Sequence, residues 1–479
     1  MNWTAAFTNV LIKLGFTKGK CSPCNFEHPV RGMAMTVHGD DFTVSGSEAD
    51  LAWLKFNMEK EFEITCEVLG PKKEHKQEVR ILNRVIRWTG HGITYEADQR
   101  HAEIVVRDLG LQDAKPAPTP GTREELSKAS LPKGVLGIEV EEQSPELDKK
   151  EASAYRGVAA RLNYLAQDRP DLQYACKEAS RRMAKPRQAD WAILKRIGRY
   201  LLGAPRLVQR FNWQDGDGEI TVHTDSDWAG CKTSCRSTSG GTLCVGTHCL
   251  KTWSSTQATI ALSSAEAELY AMCKGASQAL GAMALLEDFG IKMNAKLRAD
   301  STAAIGIVRR SGLGKVRHLN VRYLWMQEKS KTDFELEKVL GTENPADLLT
   351  KNLALPDLMK YTAKLNMEIN DGRATTAPKL ASMTAGKNDE LEDDWIHEDG
   401  IITRVHSAPR TELFTPMRVA GSPPSRRLTS TRITEGVYVD DGERFRLVDA
   451  WTARSTAHRC LGRRWIGVTK FLLRTAEVA

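Results

Sequence analysis

The chain has 479 residues, which at roughly 150 residues per domain predicts about three domains, each with a core of its own. With 41% hydrophobic and 27% charged residues, the composition is that of a folded soluble protein and excludes collagen-like, mucin-like and wholly disordered classes. A net charge of +7 over this length is too weak an excess to identify a polyanionic partner. Ten irregularly spaced cysteines, with no secretory signal before them, indicate a reducing compartment rather than a disulfide scaffold.

Residues 1–111 predict a unit that mixes helices and strands. After an amphipathic helix at the start, residues 33–46 place apolar and β-branched residues on both sides of a Gly-Asp-Asp turn, which is typical of a hairpin. A second amphipathic helix follows over residues 51–62. Residues 112–150 carry three spaced prolines and then an acidic stretch without periodicity, which predicts a linker.

The rest of the sequence divides into three segments with different residue patterns. Residues 151–215 have helical periodicity with Arg and Lys on the outer faces, which indicates a basic helical connection. Residues 216–355 predict three strands, a long helix from Ser264, and then alternating strands and helices, which together make a mixed α/β sheet domain. Residues 356–479 are rich in Pro, Ser, Thr and charge, so we expect a mostly flexible, irregular tail with one candidate hairpin at 437–448.

Four acidic residues are predicted to converge at one edge of the mixed sheet: Asp225 at the end of its first strand, Glu268 one turn into the long helix, Asp300 at the end of the fourth strand, and Asp347 at the start of the last helix. Any one of them alone would be interpreted as a turn former or helix cap. Clustered carboxylates repel unless cations join them, so the set predicts a site for Mg²⁺ or Mn²⁺. Two such ions about 4 Å apart can support phosphodiester hydrolysis.

At two of the four positions, a second acid lies two residues away in the sequence and is an alternative candidate for the site. Ser263 to Glu266 fits a capping box, in which Glu266 reaches back to the backbone at Ser263 and leaves Glu268 free to face the sheet. Asp225 and Asp227 lie two residues apart on an extended strand and face the same way, so geometry alone does not choose between them.

Seven motifs between residues 219 and 353 resemble, in order and spacing, the ribonuclease H domain of copia-type LTR retrotransposon Pol polyproteins: HTDSDWAG, RSTSGG, WSSTQ, ALSSAEAELYA, ADSTAAI, VRHLNVRY and ENPADLLTK. The resemblance implies a ribonuclease H-like mixed α/β sheet with helices on both faces. It assigns catalysis and the binding of two Mg²⁺ or Mn²⁺ ions to Asp225, Glu268, Asp300 and Asp347. Thr256 departs from the family, in which a basic residue is common at this position.

The resemblance extends upstream to a reverse transcriptase palm. HGDD at residues 38–41, followed by SGS and a helix, resembles the family's YVDD hairpin and implies that Asp40 and Asp41 bind metal, although its first two residues differ. Stretches up to Gly203 resemble the thumb and connection. The chain starts where the family's palm is already half complete. We therefore expect the first polymerase Asp to be missing, and we expect no RNA-directed DNA polymerase activity from this chain alone.

The resemblance thus implies a retrotransposon-derived ribonuclease H that hydrolyses the RNA strand of RNA/DNA hybrids, attached to an incomplete polymerase domain. Such an enzyme would recognise duplex shape and 2′-hydroxyls rather than base sequence. Two alternatives stay open: an inactive remnant that binds nucleic acid, and a subunit that needs the separate upstream part of the reverse transcriptase as its partner. We expect an intracellular location, in a cytoplasmic particle or the nucleus, without secretion or membrane insertion.

A basic stretch gives a further candidate for nucleic-acid contact. Arg317, His318 and Arg322 lie at the start of a predicted helix around residues 319–329. They either hold the backbone phosphates of a hybrid, as the resemblance implies, or form a solvated basic face, and the sequence does not decide between these two roles.

Overall fold

The computed structural model describes residues 3–122, 144–215, 218–314 and 316–380, together with the backbone of three later strands at 395–398, 401–404 and 431–438. Within these residues, no helix combines the length and the apolar character that a membrane crossing requires.

The first sheet is built from N-terminal residues. Helix α1 (Trp3–Lys13) is followed by strands β1 (Thr17–Lys18), β2 (Asn25–His28), β3 (Met33–His38) and β4 (Asp41–Gly46), helix α2 (Glu48–Met58) and strand β5 (Ile64–Leu69). Strands β1 to β4 pair antiparallel in chain order. The β3–β4 hairpin turns at Gly39, whose φ of 63° favours glycine. Phe7 packs edge to face against Phe26 and Phe42 in the core beneath this sheet.

The second sheet joins segments that are distant in the chain. Strands β6 (Glu78–Ile81), β7 (Arg84–Thr89) and β8 (Gly92–Glu96) form an antiparallel meander, and helix α3 (Gln99–Asp108) follows. Helices α4 (Lys149–Ala166), α5 (Pro170–Ser180) and α6 (Trp191–Gly203) then lead to strand β9 (Arg206–Asn212), which pairs with β8. Strands on either side of the predicted linker therefore belong to one sheet.

The third sheet contains the region of the predicted acids. Strands β10 (Glu219–Asp227), β11 (Thr238–Val245) and β12 (His248–Thr256) form an antiparallel meander, helix α7 (Ser264–Glu287) follows, and strand β13 (Asn294–Ala299) runs parallel to β10. Helices α8 (Thr302–Arg309) and α9 (Trp325–Lys329) precede strand β14 (Glu335–Lys338), which is parallel to β13. The strand order is β12-β11-β10-β13-β14.

Helices cover both faces of this third sheet, which confirms the predicted mixed α/β class. Helix α7 packs over β10, β11 and β13, and helix α5 packs against β12. Gly275 lets α7 approach closely, because a Cβ at this position would lie 2.4 Å from the side chain of Thr224. The core between helix and sheet includes Val222 and Leu297.

The first part of the expected tail, residues 356–380, is folded onto the second sheet rather than irregular. After a 3₁₀ turn (Pro345–Leu349), helix α10 (Leu355–Lys364) leads to strand β15 (Met367–Asn370), which pairs antiparallel with β9. The second sheet thus has the order β15-β9-β8-β7-β6, and Ala374 and Ala377 pack against Val85. Residues up to 380 are held by this long-range pairing, which composition does not reveal.

Three further strands complete the described backbone. Strands β16 (Trp395–Glu398) and β17 (Ile401–Arg404) pair with each other, and β18 (Thr431–Tyr438) lies between β4 and β5, parallel to both. The candidate hairpin at 437–448 lies outside the described residues except for its first two positions. The predicted domain boundaries stay predictions.

Asp288, at the C-terminal end of α7, ties the third sheet to the N-terminal unit. Its carboxylate accepts hydrogen bonds from the backbone N–H groups of Lys20 at 2.7 Å, Cys21 at 2.9 Å and Ser22 at 2.8 Å. The C-terminal end of a helix carries a partial negative charge, which repels a carboxylate unless hydrogen-bond donors compensate it. The three N–H groups supply that compensation and dock the two parts of the chain together.

Replacing Asp288 with Ala should lower the free energy of unfolding by about 2 kcal/mol, because hydrogen bonds to charged groups contribute about 1.5–3 kcal/mol. Urea denaturation followed by tryptophan fluorescence measures this loss. The control is Glu287→Gln at the exposed neighbouring position, which should change stability by less than about 0.5 kcal/mol. Equal effects of the two substitutions would show that the docking bonds contribute nothing.

Candidate metal centre

Three of the four predicted acids meet where β10 and β13 end. Asp225 lies near the end of β10 and Asp300 directly follows β13, and the carboxyl ends of these two parallel neighbours lie at the same edge of the sheet. Glu268 reaches the same place from the first turns of α7. One carboxylate oxygen from each of the three residues lies within 4.8 Å of the other two. Asp225 and Glu268 are only 5% and 8% exposed.

The start of α7 determines where Glu268 points. As predicted, Ser263 caps the helix by accepting a hydrogen bond from the Glu266 N–H group, at 3.3 Å. The Glu266 carboxylate, however, accepts from the Leu262 N–H group at 2.9 Å and not from Ser263. The same oxygen also lies 3.0 Å from His318 Nε2, so it is occupied by two groups other than Ser263. Glu266 is thus occupied at the helix start, and Glu268 faces the sheet.

The two carboxylate oxygens of Glu268 have different surroundings. Oε1 accepts hydrogen bonds from the backbone N–H group and the hydroxyl of Ser226, both at 3.1 Å. Oε2 is buried without a hydrogen-bond partner among the described residues. A buried acceptor that stays unpaired costs free energy, and a bound cation would remove that cost. An all-oxygen donor set of this kind fits Mg²⁺ or Mn²⁺.

Burial and mutual repulsion raise the pKa values of all three carboxyl groups. Burial, followed by the charge of Asp347, raises the pKa of Asp225 to about 7. Burial, followed by the charges of Asp225 and Asp300, raises the pKa of Glu268 to about 8. The pKa of Asp300 is also raised, first by burial and then by Asp347. Acids perturbed in this way are frequent at functional sites.

Asp347 lies beside this group of three rather than within it. Its carboxylate forms an ion pair with Lys351 Nζ at 2.9 Å and accepts a hydrogen bond from the Tyr361 hydroxyl at 3.3 Å. Its charge still acts on Asp225 and Asp300, so Asp347 is at the rim of the same site. Its predicted role as a metal ligand stays a prediction.

Sequence reasoning did not single out two residues that hold the acids in place. Asn344 is fully buried, and its Nδ2 donates to the Thr224 carbonyl at 2.9 Å, which joins β10 to the 3₁₀ turn with Asp347. The Thr350 hydroxyl donates to the Asp225 carboxylate. Both residues belong to the ENPADLLTK motif, so a signal was present in the sequence.

The structure distinguishes Asp225 from Asp227. The Asp227 carboxylate accepts a hydrogen bond from the backbone N–H group of Thr238 on the neighbouring strand β11. The Asp227 carboxylate is therefore bound to the backbone of the sheet, while the Asp225 carboxylate lies close to those of Glu268 and Asp300.

The predicted palm acids have a different setting. Asp40 is exposed in the β3–β4 turn, and Asp41 is the register partner of His38 at the start of β4. Among the described residues, neither belongs to a group of three or more side chains that could share a metal ion.

The predicted basic helix begins later than expected. Arg317 and His318 lie in a turn, Arg322 lies in a 3₁₀ segment, and the α-helix starts only at Trp325. The Asn320 side chain accepts from the Arg322 N–H group at 3.1 Å, which favours the tight turn over a regular helix. His318 contacts Glu266, and the Arg322 guanidinium donates to the Tyr323 hydroxyl at 2.8 Å, so both side chains contact other residues of the protein.

Comparisons with known proteins find sequence relatives among transposon polyproteins. No known family model matches the chain. It is 25% identical over 358 residues to the retrovirus-related Pol polyprotein from transposon TNT 1-94 of Nicotiana tabacum, which covers 73% of this chain and 26% of that protein. It is 24% identical over 373 residues to the corresponding polyprotein from transposon RE1 of Arabidopsis thaliana, which covers 76% of this chain and 24% of that protein.

Among solved structures, the chain matches the N-terminal RNase H domain of rv2228c from Mycobacterium tuberculosis, determined as a fusion with maltose-binding protein. It is 20% identical with a TM-score of 0.21, and the match covers 30% of this chain and 96% of that one. These two relatives show that the chain is similar to retrovirus-related Pol polyproteins of transposons over about three quarters of its length, which confirms the resemblance of its motifs. It spans about a quarter of the length of these relatives.

Without divalent cations, Asp225→Asn should stabilise the protein at pH 8. Because the pKa of Asp225 is raised in the folded state from 3.8 to about 7, the folded protein binds more protons than the unfolded chain across this window, and stability falls as the pH rises through it. Removing the charge should raise Tm by about 2 °C or more in EDTA at pH 8. The difference should be less than half as large at pH 5 and should vanish only below the unfolded-state pKa of 3.8, where the carboxyl is protonated in both states.

Thermal melts with added Mg²⁺ complete this test. Mg²⁺ should raise the Tm of the wild type and should raise that of Asp225→Asn much less, since a ligand stabilises only the state that binds it. Glu61→Gln at an exposed position is the control and should behave as the wild type in every condition. A lower Tm for Asp225→Asn in EDTA at pH 8 would contradict the repulsion between these acids.

Proposed function

We propose that this chain carries a ribonuclease H-type nuclease that hydrolyses the RNA strand of RNA/DNA hybrids. The observation that carries the proposal is the buried group of Asp225, Glu268 and Asp300, with oxygens within 4.8 Å of one another at the carboxyl ends of parallel strands. The relationship to transposon Pol polyproteins and the order of the seven motifs support the same reaction.

In this proposal Asp225, Glu268 and Asp300 hold Mg²⁺ or Mn²⁺, with Asp347 at the rim. A pair of such ions, when bound, supplies an activated water and charge stabilisation for the leaving oxygen of a phosphodiester. The protein's own part is orientation. Ser226 fixes Oε1 of Glu268 and leaves the buried Oε2 without a hydrogen-bond partner among the described residues.

Thr350 and Lys351 contribute to the same preorganisation. The Thr350 hydroxyl fixes one oxygen of Asp225, and the Lys351 ammonium partly offsets the negative charge at Asp347. Because these contacts come from the short segment after β14 that also supplies Asp347, one turn of chain closes the site from the side opposite α7. Donors and charges placed before substrate binds need no rearrangement during the reaction.

The purified protein with Mg²⁺ or Mn²⁺ should cleave the labelled RNA strand of a hybrid and leave an RNA/RNA duplex intact. Glu268→Gln should lower kcat by roughly 10³-fold or more while hybrid binding remains, because the amide oxygen is a poor substitute for a carboxylate ligand. Gel-resolved cleavage and fluorescence anisotropy measure the two quantities.

The matched control is Glu266→Gln, two residues away on the same helix. It should lower Tm through loss of the helix-start contacts but keep kcat per folded molecule within about threefold of the wild type. Equal loss of activity in both variants would assign the effect to folding. Binding of hybrid without any cleavage by the wild type would instead favour an inactive nucleic-acid-binding remnant.

A further inference from the structure

A row of hydroxyls crosses the third sheet from the candidate metal centre to the edge strand β12. Ser226, Ser239 and Ser255 are register partners on β10, β11 and β12, so their side chains share one face of the sheet. At one end, the Ser226 hydroxyl donates to Glu268 at 3.1 Å, and at the other end the Ser255 hydroxyl accepts from Lys274 Nζ at 2.6 Å. Two strand spacings, roughly 10 Å, separate the ends of the row.

Lys274 lies in an unusual electrostatic setting at the far end of this row. Its side chain extends from α7, which packs mainly over β10, β11 and β13. Among the described residues, its ammonium has no carboxylate at ion-pair distance, and the charged group that acts on it is Lys251, which is also positive. Burial, and then the charge of Lys251, lower the pKa of Lys274.

A largely buried ammonium beside a second positive charge destabilises the protein unless an anion approaches it. An anion can approach this end of the row, since Ser255, which contacts Lys274, is partly exposed. Helix α5 covers the opposite face of β12, where Gln173 donates to the Thr252 carbonyl at 3.3 Å. This end of the row and the uncompensated charge therefore occur on the same face as Glu268.

We propose that Lys274, with Lys251 beside it, contacts a backbone phosphate of the hybrid whose scissile bond lies at the acids. This inference rests on the proposed function. Lysine is a common phosphate ligand, and a phosphate supplies negative charge together with acceptor oxygens beyond the Ser255 hydroxyl. The separation of roughly 10 Å corresponds to about three base steps at 3.4 Å per step, so one duplex reaches both ends of the row.

The test measures hybrid binding separately from cleavage. In a Glu268→Gln background, an RNA/DNA hybrid of about 20 base pairs is titrated by fluorescence anisotropy over a series of NaCl concentrations. Lys274→Met should weaken binding about tenfold at 0.1 M salt and reduce the slope of log K against log salt by about 0.9, the value for one lost phosphate contact. Lys274→Arg should restore both quantities, because the charge returns.

Lys331→Met is the matched control, because it removes the same charge at an exposed position after α9. It should change affinity by less than about twofold. In the background with Glu268 intact, Lys274→Met should raise KM for the hybrid more than it lowers kcat. The Tm of Lys274→Met should stay at or above that of the wild type, since the substitution removes an uncompensated buried cation.

The outcomes separate this inference from the function on which it rests. If the wild type binds and cuts the hybrid while Lys274→Met shows an unchanged affinity and salt slope, or if Lys331→Met has an equal effect, the phosphate contact is overturned and the nuclease stands. If the wild type neither binds nor cuts the hybrid, the proposed function itself fails.

Discussion

The carboxylates of Asp225, Glu268 and Asp300 repel one another, and their local contacts act against that repulsion. Two of the acids end neighbouring parallel strands, so the sheet hydrogen bonds fix their separation. The third is fixed by Ser226 and by the helix start at Ser263. Placing acids where their pKa values rise to about 7 and 8 costs folding free energy that bound cations would return without protonation of the carboxyls. That cost is the physical reason to interpret the group as a cation site.

Much of the packing around this site comes from parts of the chain that sequence reasoning treated as separate. Helix α5, assigned to a basic connection, covers the second face of the third sheet, and Leu172 shares a core with Leu348 and Leu349 next to Asp347. Asp288 docks the other end of α7 onto the N-terminal unit through three N–H groups. The position of Glu268 therefore depends on a helix whose two ends are both anchored.

Local patterns predicted the elements that local physics controls. The β3–β4 hairpin, the helix cap at Ser263 and the strand, helix and turn positions of the four acids follow from turn chemistry, periodicity and motif spacing. The pairing of β9 with β8 and β15 joins residues more than 100 positions apart, and no local pattern encodes it. The choice between Asp225 and Asp227 depends on one hydrogen bond from Thr238, which is equally invisible in the sequence.

The row of hydroxyls formed by Ser226, Ser239 and Ser255 connects two groups of opposite charge on one face of the third sheet. The acids at β10 and β13 concentrate negative charge at one end, and at the other end Lys274, which contacts β12, has no carboxylate at ion-pair distance among the described residues. These groups do not neutralise each other, because two strand spacings, roughly 10 Å, separate them, and Lys274 is not among the charges that shift the pKa values of the acids. A nucleic acid duplex with associated divalent cations carries both complements at such a spacing. A single ligand of that kind would satisfy both ends of the row, whereas a small anion or a lone metal ion would satisfy only one.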